Sequence, residues 1–79
     1  MKISVKLKQA EPIAISTGSI KLDSFLKFCG AAETGGQAKL IIAEGAVKVN
    51  GAVSFQRGKS LVPGDKVAFG GGYWQVVAQ

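Results

Sequence analysis

Polar and apolar residues alternate without a break through Lys2-Ile3-Ser4-Val5-Lys6-Leu7-Lys8, the period of a strand with one face buried. Beyond Pro12, Ile13-Ala14-Ile15 predicts a second short strand that stops at Thr17-Gly18. From Lys21 to Cys29 the period changes. Leu22, Phe25, Leu26 and Cys29 stand at i, i+3, i+4 and i+7, one stripe of a helix, with Asp23, Ser24 and Lys27 opposite. Asp23 and Lys27 make an acid-then-base i,i+4 pair worth about 0.3 kcal/mol, and Gly30 is placed to end the helix. Thr34-Gly35-Gly36-Gln37 reads as a capping box, in which the Thr34 hydroxyl takes the Gln37 N–H and the Gln37 side chain reaches back. The helix that follows carries Ala38, Ile41 and Ile42 on one face, Lys39 on its flank and Gly45 as its stop. Leu40 falls off that stripe, so this helix is expected to pack on two sides. Two short helices joined by about four residues form a helix-turn-helix-like unit.

The strand period returns at Val47-Lys48-Val49. Asn50-Gly51 is the strongest two-residue hairpin signal, and Ala52-Val53 begins the return strand. Pro63-Gly64 predicts a type II turn that leads through Asp65 into Lys66-Val67-Ala68-Phe69. Gly70-Gly71-Gly72 then links that strand to a closing one, Tyr73-Trp74-Gln75-Val76-Val77. Tyr73 and Trp74 face opposite ways, and either can be the buried one. The whole reads as one α+β domain over residues 1–79, two short helices packed against a small, mostly antiparallel sheet.

Composition narrows what such a domain does. A chain of 79 residues has a thin core. No disulfide or zinc site reinforces it, because there is one cysteine and no histidine. Hydrophobic content of 47% nevertheless favours a folded chain. No apolar run approaches the roughly 18 residues of a membrane span, so the expectation is a cytoplasmic monomer with no membrane contact. Ten Lys and Arg against five Asp and Glu leave a net charge of +5. That excess either serves a polyanionic partner or merely aids solubility.

Catalytic chemistry is poorly represented. Without histidine the usual general base is missing, and so are the Ser-His and Cys-His nucleophile pairs. The five carboxylates are scattered singly, and Cys29 lies on the apolar helix stripe, where a buried thiol is inert. The three-glycine run lacks the spacing of a phosphate-binding loop and opens no helix. No enzyme activity, cofactor or metal is expected.

The stretch 20–69 carries the informative motifs. K-L-D-S-F-L-K (21–27), A-K-L-I-I-A-E-G-A-V-K-V-N-G (38–51) and V-P-G-D-K-V (62–67) resemble the S4 RNA-binding domain family, and the small stand-alone bacterial members above all. The resemblance implies the S4-like (αL-type) fold. It also implies a non-catalytic role, with basic residues of both helices and of the β-region gripping structured RNA, ribosomal or transfer RNA, with the ribosome itself among the partners it brings into view. One departure stands out. Where the family usually has Ser-Arg at the start of the second helix, this chain has Thr34-Gly35, followed by Gly36. Two glycines in a first helical turn cost up to about 1 kcal/mol each relative to alanine. They either let a phosphate approach bare N–H groups at the helix start or let the two helices pack closely.

The candidate RNA-binding residues are Lys21, Lys27, Thr34, Gly35, Gln37, Lys39, Lys48, Arg57 and Lys59. Lys27, Lys39, Arg57 and Lys59 come first, since phosphate binding needs several cations on one face, and arginine grips phosphate bidentately. Lys2, Lys6 and Lys8 share a strand face and form either a second patch or a guard against edge aggregation. Two other readings compete. A protein-protein adapter can use the same fold without RNA. A β-grasp carrier shares V-N-G and G-D-x-V, but acts through a C-terminal Gly-Gly where this chain reads Val77-Ala78-Gln79.

Overall fold

A computed structural model describes residues 10–79. The alternating segment Lys2 to Lys8, with its lysine face, lies outside the described residues. The elements run β1 (Glu11–Ile15), β2 (Ile20–Lys21), α1 (Leu22–Phe28), α2 (Gly35–Ala43), β3 (Lys48–Val49), β4 (Ala52–Val53), β5 (Ser60–Leu61), β6 (Lys66–Phe69) and β7 (Gly72–Ala78). Five strands form a sheet in the order β1-β7-β6-β3-β4, while β2 and β5 pair separately. All ladders are antiparallel except β1 with β7, which run parallel from Glu11↔Trp74 to Ile15↔Ala78. Pro12, which has no N–H to donate, is tolerated because β1 is an edge strand among the described residues.

Two tight turns set the register. Asn50 (φ 53°) and Gly51 (φ 87°) turn the β3–β4 hairpin with both central residues left-handed, which is why the chain carries Asn-Gly there. The Pro63-Gly64 turn closes with the Asp65 N–H on the Val62 carbonyl (3.0 Å) and with Gly64 at φ 105°, as a type II turn requires.

The two V-N-G and G-D motifs prove to be one junction. Asn50 Nδ2 donates to Asp65 Oδ1 (3.1 Å), and Asn50 Oδ1 accepts from the Lys66 N–H (2.9 Å). Asp65 Oδ2 takes the Val62 N–H (2.9 Å), so this one carboxylate ties the hairpin to the turn before β6.

The core lies between the helices and one face of the five-stranded sheet. Leu22, Phe25 and Leu26 of α1 and Ala38, Ile41 and Ile42 of α2 pack with Ile15, Val49, Val67 and Val76. Trp74 packs on that cluster with its ring folded over Gly72, where a side chain would collide with it. Tyr73 therefore belongs to the outer sheet face, opposite Ala68. Leu40 departs from expectation. α2 buries one side, through Ala38, Ile41 and Ile42, and Leu40 is left 57% exposed because no further layer of the described residues covers it.

Candidate nucleic-acid interface

Thr34, in extended backbone, accepts from the Gln37 N–H at Oγ1 (3.0 Å), and so starts α2 as the capping rule requires. Gln37 Oε1 reaches back to the Glu33 N–H (2.8 Å), one residue earlier than a standard capping box. Both side chains thus position the helix start. The two glycines between them are not demanded by the fold. Neither has the left-handed backbone that favours glycine. A methyl at Gly35 would meet nothing within 4 Å, and one at Gly36 would meet only Thr34 Oγ1, at 3.9 Å. Close packing between the helices therefore does not explain them.

The loop between β4 and β5 is fixed by α1. That helix has no side-chain cap at Lys21, and loop carbonyls replace one: the Leu22 N–H donates to Lys59 O (2.9 Å) and the Asp23 N–H to Arg57 O (3.1 Å). A turn from Gln56 to Lys59, closed by the Lys59 N–H on Gln56 O (3.1 Å), completes the anchor. Lys21, paired with Ser60, is thereby placed beside the same loop.

Lys39 and Arg57, far apart in sequence, border one hollow of about 510 Å³ with Gly36, Leu40 and Phe55. No carboxylate lines it. An adjoining hollow of about 440 Å³ holds Lys59 and is divided from the first by Phe55. Lys27 borders a smaller hollow of its own on α1, about 250 Å³, with Ser24 and Phe28. Lys48 is set apart. It lies on the outer sheet face with Ala68 and Tyr73, while the helices cover the other face.

Reasoning from sequence missed Phe55 and Leu40, which are 67% and 57% exposed at the centre of the site. Phe55 carried one signal: an aromatic in a loop, two residues before Arg57, outside any strand or helix period. Cys29 is half-buried, with Sγ donating to Leu26 O at 3.7 Å. Desolvation pushes its pKa up, which is the reverse of what a reactive thiol needs.

The S4 domain family matches residues 13–77, which adds the end of β1 and most of β7 to the stretch carrying the motifs. YbcJ of Escherichia coli strain K12, provisionally named an RNA-binding protein, is 48% identical over 59 residues, 75% of this chain and 84% of its own length. RlbA of Bacillus subtilis strain 168, provisionally named a ribosome maturation protein, is 42% identical over 69 residues, 86% of this chain and 97% of its own. The solution structure of E. coli YbcJ, described as revealing an αL motif involved in RNA binding, superposes with a TM-score of 0.69 at 35% identity. That likeness covers 99% of this chain and all of the other. Matched by the family over most of its length, and by relatives of its own size in sequence and in fold, this chain belongs to the S4 domain family.

Proposed function

We propose that this chain is a non-catalytic RNA-binding protein. It holds structured RNA, ribosomal or transfer RNA, against the face built by the start of α2, the start of α1 and the loop from Gln56 to Lys59. The observation that carries the reading is the pairing of Lys39 with Arg57 around one hollow that no carboxylate borders. Two cations facing one concavity, one on α2 and one in a loop tied to α1 by its backbone, suit consecutive phosphates. Lys59 and Lys21 extend the positive edge along the start of α1, and Lys27 continues it along the helix. Gly35 and Gly36 leave the N–H groups at the start of α2 open to close approach by a phosphate oxygen. Lys48, on the opposite sheet face, contributes less.

YbcJ and RlbA support the class of partner, and RlbA's name supports a ribosomal one. A cytoplasmic location fits such a partner, and among the described residues no helix is long and apolar enough to cross a membrane.

The test is RNA binding across a salt series. A ribosomal-RNA hairpin should bind with a log–log slope of about −3 to −4 if four cations each neutralise a phosphate. Lys39→Glu/Arg57→Glu should lose most of that affinity with its melting temperature unchanged, and Lys48→Glu should lose little. Equal, weak binding by all three proteins would sink the RNA reading and leave the adapter.

A further inference from the structure

We infer that Phe55 is a stacking platform for a single unpaired base, so that the RNA held is a helix interrupted by, or ending in, an unpaired nucleotide. This rests on the RNA reading above and names the feature of the RNA that is recognised.

Four observations converge. Phe55 is 67% exposed, whereas Phe25 of the same small domain is fully buried, so the ring is not spent on the core. The ring is nonetheless seated. A Cβ added at Gly45 would stand 3.1 Å from Phe55 Cε1 and 3.3 Å from Cζ, so the left-handed glycine that ends α2 (φ 76°) is also the shelf on which the ring rests. A third feature is its place as the ridge between two hollows, one edged by Lys39 and Arg57 and the other by Lys59. Finally, no carboxylate borders either hollow, so the only charged groups lining the two hollows beside the ring are the cations Lys39, Arg57 and Lys59.

An aromatic ring flanked by cations is how proteins hold unpaired nucleotides, with the base on the ring and its phosphates on the cations. Bases inside an A-form helix are already stacked and out of reach of a side chain, so only an unpaired one can meet Phe55. A protein partner that covered the ring would have to bring anionic groups to Lys39, Arg57 and Lys59 together. An unpaired nucleotide brings its own flanking phosphates along with the base that would stack.

Two hairpins decide the matter, identical except that one carries a single-nucleotide bulge labelled with 2-aminopurine. Wild type should prefer the bulged hairpin by about tenfold, in keeping with the worth of one base stacked on an aromatic ring, and should quench the 2-aminopurine on binding. Phe55→Ala and Phe55→Leu should erase both the preference and the quenching while still binding the paired hairpin. Phe55→Trp should keep both. If wild type binds the two hairpins equally, or Phe55→Leu keeps the full preference, the stacking inference fails while the RNA reading stands. If wild type binds neither hairpin, the RNA reading itself has failed. Normal bulge binding by Phe55→Ala, together with loss of self-association or of a ribosomal-protein contact, would assign the ring to a protein interface and overturn the inference.

Discussion

Asn50 and Asp65 on one side, and Lys39 and Arg57 on the other, belong to the same stretch of chain but put their polar groups to opposite use. At the first junction the side chains turn onto each other and onto the backbone: two of the bonds made there join the hairpin to the turn and the start of β6, and a third closes that turn on itself. At the second, the charged groups face an open hollow beside an exposed aromatic ring. The residues that make the family recognisable, V-N-G and G-D-x-V, are therefore mostly residues that make the fold. Of the residues placed to meet a partner, Lys39 stands within a quoted motif, on the flank of α2, whereas Arg57, Lys59 and Phe55 belong to a loop outside the motifs. The V-N-G and G-D-x-V signatures report architecture first.

That contrast can be broken by experiment. The largest effect on stability is expected from Asp65→Ala, which leaves the Val62 N–H and the Asn50 amide without their acceptor and should cost about 1–3 kcal/mol. Urea denaturation measures the cost, and RNA affinity of the folded fraction should not move. A loss of affinity without a loss of stability would show that the junction also contacts RNA.

A smaller and oppositely signed effect is expected at Gly36→Ala. Stability should rise by up to about 1 kcal/mol, since no steric demand keeps glycine there. RNA affinity should fall, because the added methyl stands where a phosphate would approach. Unchanged affinity, read from the same salt series, would remove the start of α2 from the interface.

The smallest effect concerns Cys29. Burial raises its pKa, so the neutral thiol is the form that the fold favours. The stability this contributes is complete below the pKa of a thiol in the unfolded chain, and is lost as pH rises through the folded value. Alkylation at neutral pH should accordingly be slower than for a free thiol and should speed up only in alkaline solution. Rapid labelling at pH 7 would place Cys29 with the outward-facing groups.

Much of this was legible in the sequence, for reasons that can be named. Both helices follow from the spacing of Leu22, Phe25 and Leu26 and of Ala38, Ile41 and Ile42, because these are the positions that bury. The Asn-Gly and Pro-Gly turns follow from backbone sterics. β2 and β5 did not follow, since strands of two residues carry no period. The docking of the Gln56–Lys59 loop was equally hidden, because its bonds to α1 are made by backbone groups that every residue possesses. Within the candidate site, Lys39 and Arg57 border one hollow and Lys59 the adjoining one, whereas Lys48 lies apart from both. Pointing away from the core on β3 means the outer sheet face, whereas pointing away from it on α2 means the opposite side of the domain. Leu40 and Phe55 escaped because an exposed apolar residue breaks the pattern used to read the chain.

The parallel pairing of β1 with β7 has a kinetic side. β6 and β7 meet across a two-residue turn, whereas β1 must find β7 from almost the far end of the described chain, Glu11 opposite Trp74. Local ladders close quickly, and distant ones wait until the rest of the chain has collapsed enough to repay the lost entropy. The β1–β7 ladder is therefore expected to form last and to open first. β1, which ends the sheet among the described residues, is then the place where hydrogen exchange should begin, while the Asn50–Asp65 junction and the cationic hollow remain in place.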